Sequence, residues 1–359
     1  MNNHTQMYRD VTAAFGPPGF EHEVRDVIRK YVEPHADELQ TDNLGGLMAV
    51  RHGKDPNIKL LFLAHMDECG FMVRSVTKEG YLRFLALGGW HPNVVLGQRV
   101  VVKTAQGPVH GVVGAKPPHE MKDEERKKAP DLDDFWIDVG VSENYNPAKE
   151  LGIRPGDPIV PFGTYQETAN PNIHIAPNWD NRVGCITLLR IFEALSGQQP
   201  PCTVIGAFSV QEEVGLRGAG PAAWLTEPNV AIALDVSIAH DTPIDSNADE
   251  AKLGGGAAIL VFDSSMVPHL ALRNHLGELA EQQEIPHHYC LLKGGGYDTG
   301  AAHRVRGGVP SCVLGIPSRY IHGFGAMIHL EDIESVTQLS CAAIQSLDQS
   351  TWTKLQPTV

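Results

Sequence analysis

Seven side chains able to bind a metal or move a proton lie where apolar stretches of the chain stop. His65 and Asp67 follow the run at 60–64, Glu212 and Glu213 follow 207–210, and Asp235 follows 231–234. Asp180 precedes a helical pattern that begins near Val183, and His322 follows the last apolar run by a short loop. If the runs are neighbouring parallel strands, these ends share one sheet edge, where open α/β folds place their ligand crevice. The seven groups then converge on one site. A charge at the mouth of an apolar core is costly unless it is paired or metal-bound, and only Arg182 and Arg217 lie close by in sequence. Divalent cations account for the set. In His65-x-Asp67 the carboxylate is placed to accept the second imidazole N–H, which would fix a metal-binding tautomer. Glu212 and Glu213 precede the same turn, so spacing leaves open which would be a ligand and which a base.

The elements that must hold these groups follow from the hydrophobic pattern. Short apolar runs at 58–64, 203–209, 230–234 and 309–316, several without alternation, read as buried parallel strands. Helical patterns cover 183–195, 267–283 and 332–347, and another spans about 21–39, where Pro34 is a potential break. This alternation predicts an α/β fold, a mixed-sheet domain with helices on both faces, at 1–70 and 166–359. Residues 71–165 differ in character, with short segments at 81–87, 99–104, 109–113 and 135–139 and with Gly80 and Gly107 at hairpin positions. They read as an inserted small β-rich domain. The mixed-charge stretch 122–128 reads as a solvated loop.

Composition narrows the function. The 359 residues include 29 Lys and Arg against 43 Asp and Glu, a net charge of −14 that repels nucleic-acid backbones and anionic membrane surfaces. With 42% hydrophobic and 20% charged residues the chain has a globular composition. No stretch reaches the roughly 18 apolar residues of a membrane span, and the first residues lack a basic then apolar leader. The six cysteines form no CxxC pair and lie mostly in apolar stretches, which indicates small buried hydrophobes in a reducing compartment. A cytoplasmic protein is expected.

Ala64-His65-Met66-Asp67-Glu68, Asp180-Asn181-Arg182, Val210-Gln211-Glu212-Glu213-Val214-Gly215, Leu234-Asp235 and Arg319-Tyr320-Ile321-His322 closely resemble the dinuclear-metal aminopeptidases of the glutamyl aminopeptidase type, which include the tetrahedral TET peptidases. The similarity spans nearly the whole chain. It extends to Gly88-Gly89-Trp90, Gly97-Gln98-Arg99, Lys116-Pro117-Pro118-His119 and Asp131-Leu132-Asp133-Asp134 in the inserted segment, and to Gly294-Gly295-Gly296-Tyr297-Asp298. The resemblance implies two divalent ions per subunit, one held by His65 and Asp235, the other by Glu213 and His322, with Asp180 bridging. Two such ions would balance Asp180, Glu213, Asp235 and one hydroxide. Glu212 becomes the general base, a division between the two glutamates inherited from the resemblance alone, and Asp67, which would fix the His65 tautomer, is the other catalytic candidate. Nitrogen and oxygen ligands suit zinc, cobalt or manganese. The resemblance further implies short peptides with a free N-terminus as substrates, and a homo-oligomer between a dimer and a tetrahedral dodecamer built through 71–165. Two departures lie near the expected substrate side: His322-Gly323-Phe324-Gly325-Ala326 lacks the family's usual Ser and later Glu, and Tyr297 replaces a common Thr.

Two other functions fit the same residues: an amidohydrolase or deacetylase of small acylated amino acids, and a non-catalytic metal-stabilised scaffold. His22-Glu23-Val24-Arg25-Asp26 and His119-Glu120-Met121-Lys122-Asp123 imitate HExxH but end in Asp, and are expected not to bind metal. The glycines at 215–220 and 294–296 lack P-loop or GxGxxG spacing and are read as places of close backbone approach. There is no GxSxG elbow, and no cysteine has an adjacent basic signature marking a nucleophile.

Overall fold

The computed structural model describes residues 4–243 and 251–356. Four parallel strands form the centre of the main sheet, in the order Cys202–Ser209, Asp55–His65, Val230–Ile238 and Ser311–Arg319. Antiparallel strands widen it. Leu47–Arg51 and Glu38–Thr41 extend one side, and Ala326–His329, Ile173–Ala176 and Gln166–Glu167 the other. Ala257–Phe262 pairs with Ser311–Arg319 and carries His287–Leu291 beside it.

The lack of alternation in the central runs has a packing cause: both sheet faces are covered. Along Asp55–His65, Leu60, Phe62 and Ala64 join a core with Val183, Leu188, Leu276 and Ile333 from three helices. Leu61 and Leu63 point the other way, into a second core with Ala219, Ala222 and Ala302. The mixed sheet with helices on both faces is the architecture the pattern predicts. The helices run Trp179–Ala194, Leu270–Gln282 and Leu330–Ser346. The pattern expected over 21–39 is shorter, His22–Val32. Pro34 lies in a 3-10 turn, Glu33–His35, because it has no N–H for an α-helical bond and its ring crowds the preceding turn.

The chain leaves the sheet just after His65 and enters a closed barrel. Its strands are Gly70–Val76, Leu82–Leu87, Arg99–Thr104, Gly107–Gly114, Trp136–Asp138 and Pro158–Pro161. Phe71, Val73, Val100, Val102, Ile137 and Ile159 fill it. Gly80 and Gly107 take the left-handed backbone of tight turns, with φ of +105° and +122°. The stretch read as a solvated loop contains a short helix, Asp123–Lys127. All six cysteines are free. Among the described residues no helix is long and apolar enough to cross a membrane.

Candidate metal centre

All seven residues singled out from the sequence meet at the C-terminal edge of the parallel strands. His65 ends its strand, level with Ser209 of the neighbour, and Asp235 lies in the next strand opposite Gly315. Asp180 sits in a non-helical break at the start of its helix, with φ −80° and ψ 108°. The helix is capped by Asn181, whose Oδ1 accepts the Gly184 N–H, while its Nδ2 donates to the carbonyl of Leu234 beside Asp235. Asp180 is thereby left free of a capping role. Its Oδ1 lies 3.4 Å from His65 Nε2 and its Oδ2 3.2 Å from His322 Nε2. Asp235 and Glu212 face His65 Nε2 at 3.7 and 3.8 Å, and Glu213 faces His322 Nε2 at 3.6 Å. One carboxylate between two imidazoles is the arrangement that two adjacent cations would need.

Main-chain carbonyls orient both imidazoles. His65 Nδ1 donates to the carbonyl of Asp67 at 3.0 Å, and His322 Nδ1 to that of Gly89 at 2.7 Å. Each Nε2 is therefore the free nitrogen turned to the cluster. The first of these contacts corrects an expectation. The Asp67 carboxylate, 3.6 Å from His65 Nδ1, does not take that proton. Its Oδ1 and Oδ2 instead accept the main-chain N–H groups of Glu212 and Glu213, at 3.0 and 3.1 Å. The strand-to-loop turn bends before them at Gln211, which has φ +57°, and His322 and Tyr320 are also left-handed at +53° and +59°. Left-handed non-glycine residues are costly and collect at functional sites.

The electrostatics favour a cation. Asp180, Glu212, Glu213 and Asp235 border a cavity of about 490 Å³, with Asp67 buried behind them, and among the described residues no lysine or arginine lines it. Arg182 is fully buried but is engaged by Glu68, at 2.9 Å, and by the carbonyls of Met66, Val11 and Ala14. Burial pushes Glu212 and Asp235 well above the ordinary carboxyl range, and Glu213 to about 7, with Asp180 adding to the rise of Glu213. Burial works against a charged His322, but Asp180 and Glu213 raise it to about 10. Glu213 Oε1 is buried with no hydrogen-bond partner. The cluster thus holds protons and an orphan oxygen that divalent ions would displace and satisfy. Three groups present ligand atoms within 4.8 Å of one another: His65 with Asp180 and Glu213, His65 with Glu212 and Asp235, and Cys69 with Glu213 and His322. The donor set fits two ions. Both glutamates occur in these groups, so geometry does not separate ligand from base.

Neither HExxD imitation takes part in a candidate metal group among the described residues. Gly294–Gly296 and Gly215 do line the cavity, with Tyr297 and Leu292. At Gly296 a Cβ would come within 2.5 Å of Ser265 Oγ. A larger cavity of about 620 Å³, between Met266, His303 and Trp352, contains none of the cluster. Two participants escaped the sequence reading. Cys69, taken as a small hydrophobe, abuts Glu213 and His322. Asp298, buried and raised to about 6, accepts the Ser209 hydroxyl behind the site. The spacing of Cys69 four residues after His65 was a usable signal for the first; the second stands at the end of the 294–298 motif, where the resemblance gave it no role.

Comparison with known proteins agrees with this geometry. The description "M42 glutamyl aminopeptidase" matches residues 45–339. The glutamyl aminopeptidase of Lactococcus lactis is 36% identical over 92% of this chain and 92% of its own length. The TET aminopeptidase of a marine sediment Thaumarchaeota archaeon superposes with a TM-score of 0.95 at 38% identity, over 99% of this chain and 100% of the other. The TET1 peptidase of Pyrococcus horikoshii, described as able to assemble into a tetrahedron or a large octahedral shell, gives 0.84 at 30% identity over 95% and 99%. With its family matched across most of its length and its candidate metal ligands gathered on one sheet edge, the chain belongs to the M42 glutamyl aminopeptidase family.

Proposed function

We propose that the protein hydrolyses N-terminal residues from short peptides, with His65 and Asp235 holding one divalent ion, Glu213 and His322 a second, and Asp180 reaching both. When bound, such a pair polarises the scissile carbonyl and lowers the pKa of a shared water from about 15.7 toward 7. Glu212, at the cavity wall, takes a proton from the attacking water on its carboxylate and passes it to the departing amine. Asp67 keeps Glu212 and Glu213 in place through their main-chain N–H groups. The carbonyls of Asp67 and Gly89 hold the two imidazoles in the tautomer that leaves Nε2 available. The free α-amino group of the substrate is drawn to this acidic end of the cavity, and its side chain lies toward Ile238, Leu292 and Tyr297. Zinc, cobalt and manganese suit the nitrogen and oxygen donors.

The observation that carries this reading is Asp180 placed between two imidazoles, beside three buried carboxylates, with no lysine or arginine lining the cavity among the described residues. We further infer a cytoplasmic protein divided into a catalytic part, 1–70 and 166–359, and an inserted part, 71–165, through which copies assemble. The assembly of the Pyrococcus horikoshii relative supports the last point. Metal-loaded protein assayed on matched free and N-acetylated peptides tests the activity: cleavage of the free peptide alone is expected, and preference for the acylated one would identify an amidohydrolase. A single species near 39.1 kDa in light scattering would refute assembly.

A further inference from the structure

Cys69 occupies an unusual place for a buried thiol. It follows Glu68 in the short link between the strand that ends at His65 and the barrel strand that starts at Gly70. Its Sγ, an Nε2 or Nδ1 nitrogen of His322 and a carboxylate oxygen of Glu213 all lie within 4.8 Å of one another. Glu213 Oε1 is buried with no partner, on a side chain only 4% exposed. The turn that brings the barrel to the site is shaped around the sulfur: a Cβ at Gly88 would come within 2.4 Å of Sγ and 3.3 Å of Glu213 Oε2. The other thiols differ. Cys185 turns to the carbonyls of His65 and Ala64 and Cys202 and Cys312 to carbonyls of the core, and none of the three is in a candidate metal group among the described residues.

We propose that Cys69 is a sulfur ligand of the ion held by Glu213 and His322, so that the two ions of the centre have unlike donor sets. The inference rests on the two-ion reading of the site. The Sγ–metal bond forms as the thiol proton is lost to solvent, with no change of oxidation state. A thiolate draws softer ions such as zinc, cobalt and cadmium and disfavours manganese and magnesium, whereas the His65 and Asp235 side, with nitrogen and oxygen donors only, keeps no such bias.

Cobalt(II) titration of the metal-free full chain, followed in the visible and near ultraviolet, reads sulfur ligation without recourse to activity. Oxygen and nitrogen donors give weak visible bands; a thiolate adds an intense near-ultraviolet charge-transfer band. The wild-type protein should bind two cobalt ions and show that band as one of the two sites fills. Cys69→Val and the near-isosteric Cys69→Ser should lack it, with cobalt affinity at one site about tenfold or more weaker, as loss of a metal-supporting contact gives. Two bound cobalt ions without the band, or the same band in Cys69→Val, would overturn the proposal while leaving the two-ion centre intact. Failure of the wild-type protein to retain cobalt would remove both. Should neither variant fold, X-ray absorption at the cobalt edge of the wild-type protein decides: a sulfur neighbour at about 2.3 Å supports the proposal, and nitrogen and oxygen neighbours alone overturn it.

Discussion

Asp67 Oδ2 accepts the main-chain N–H of Glu213 at 3.1 Å, so a residue of one strand end fixes the loop that follows another. Its partner oxygen does the same for Glu212. An amide in place of this carboxylate keeps one acceptor and turns an NH2 toward the other donor. Asp67→Asn should lower activity about 10- to 100-fold, as loss of a contact supporting metal ligands does. Steady-state kinetics with metal content measured on the same sample will check it; unchanged kcat/KM would show that the turn is held by other means.

Glu212→Gln keeps the shape of the side chain and removes its ability to carry a proton. Turnover should fall by at least about 10² with metal content unaltered. If turnover survives and Glu213→Gln abolishes it with no loss of metal, the roles of the two glutamates are reversed.

The strand ends that carry the site were legible because apolar runs stop abruptly at residues that cannot stay in a core uncompensated: Ala64 before His65, Leu234 before Asp235. Other features were hidden for physical reasons. Asp67 offers a carbonyl and a carboxylate to the same imidazole, and only the backbone path decides between them. Asp180 and Asn181 are both able to cap a helix, and the break in the helix, not residue type, assigns the cap to Asn181. The strands Glu38–Thr41 and His287–Leu291 are half exposed and polar, so they are specified by pairing with a neighbour and leave little hydrophobic period. Cys69 looked apolar because its type and context are apolar; its chemistry comes from residues more than a hundred positions away.

Arg182 and Glu68 are a buried pair, with side chains 0% and 5% exposed. Arg182→Met leaves the Glu68 charge buried and three carbonyls without their donor. A loss of about 3–5 kcal/mol of stability is expected. Glu68→Gln added to Arg182→Met should restore part of it in chemical denaturation; a double variant less stable than the single would contradict the buried-charge explanation.

Stability should also depend on pH through Asp332, which belongs to none of the candidate metal groups. Burial raises its carboxyl to about 7, although the N–H groups of Gly254 and Gly256 work against the rise. Between the ordinary carboxyl range, near 3.8, and about 7 the folded chain binds the proton that the unfolded chain has lost. Stability therefore falls as pH rises through that window and is level above it. Thermal unfolding from pH 4 to 8 should show a shallower decline for Asp332→Asn than for the wild-type protein; parallel curves would place the titration elsewhere.

The Gly89 carbonyl that holds His322 belongs to the turn leaving the barrel strand Leu82–Leu87, whereas the histidine belongs to the sheet domain. The orientation of one imidazole of the site therefore depends on where the barrel sits: a displacement of the barrel would carry that carbonyl with it and reach the site from outside the cavity.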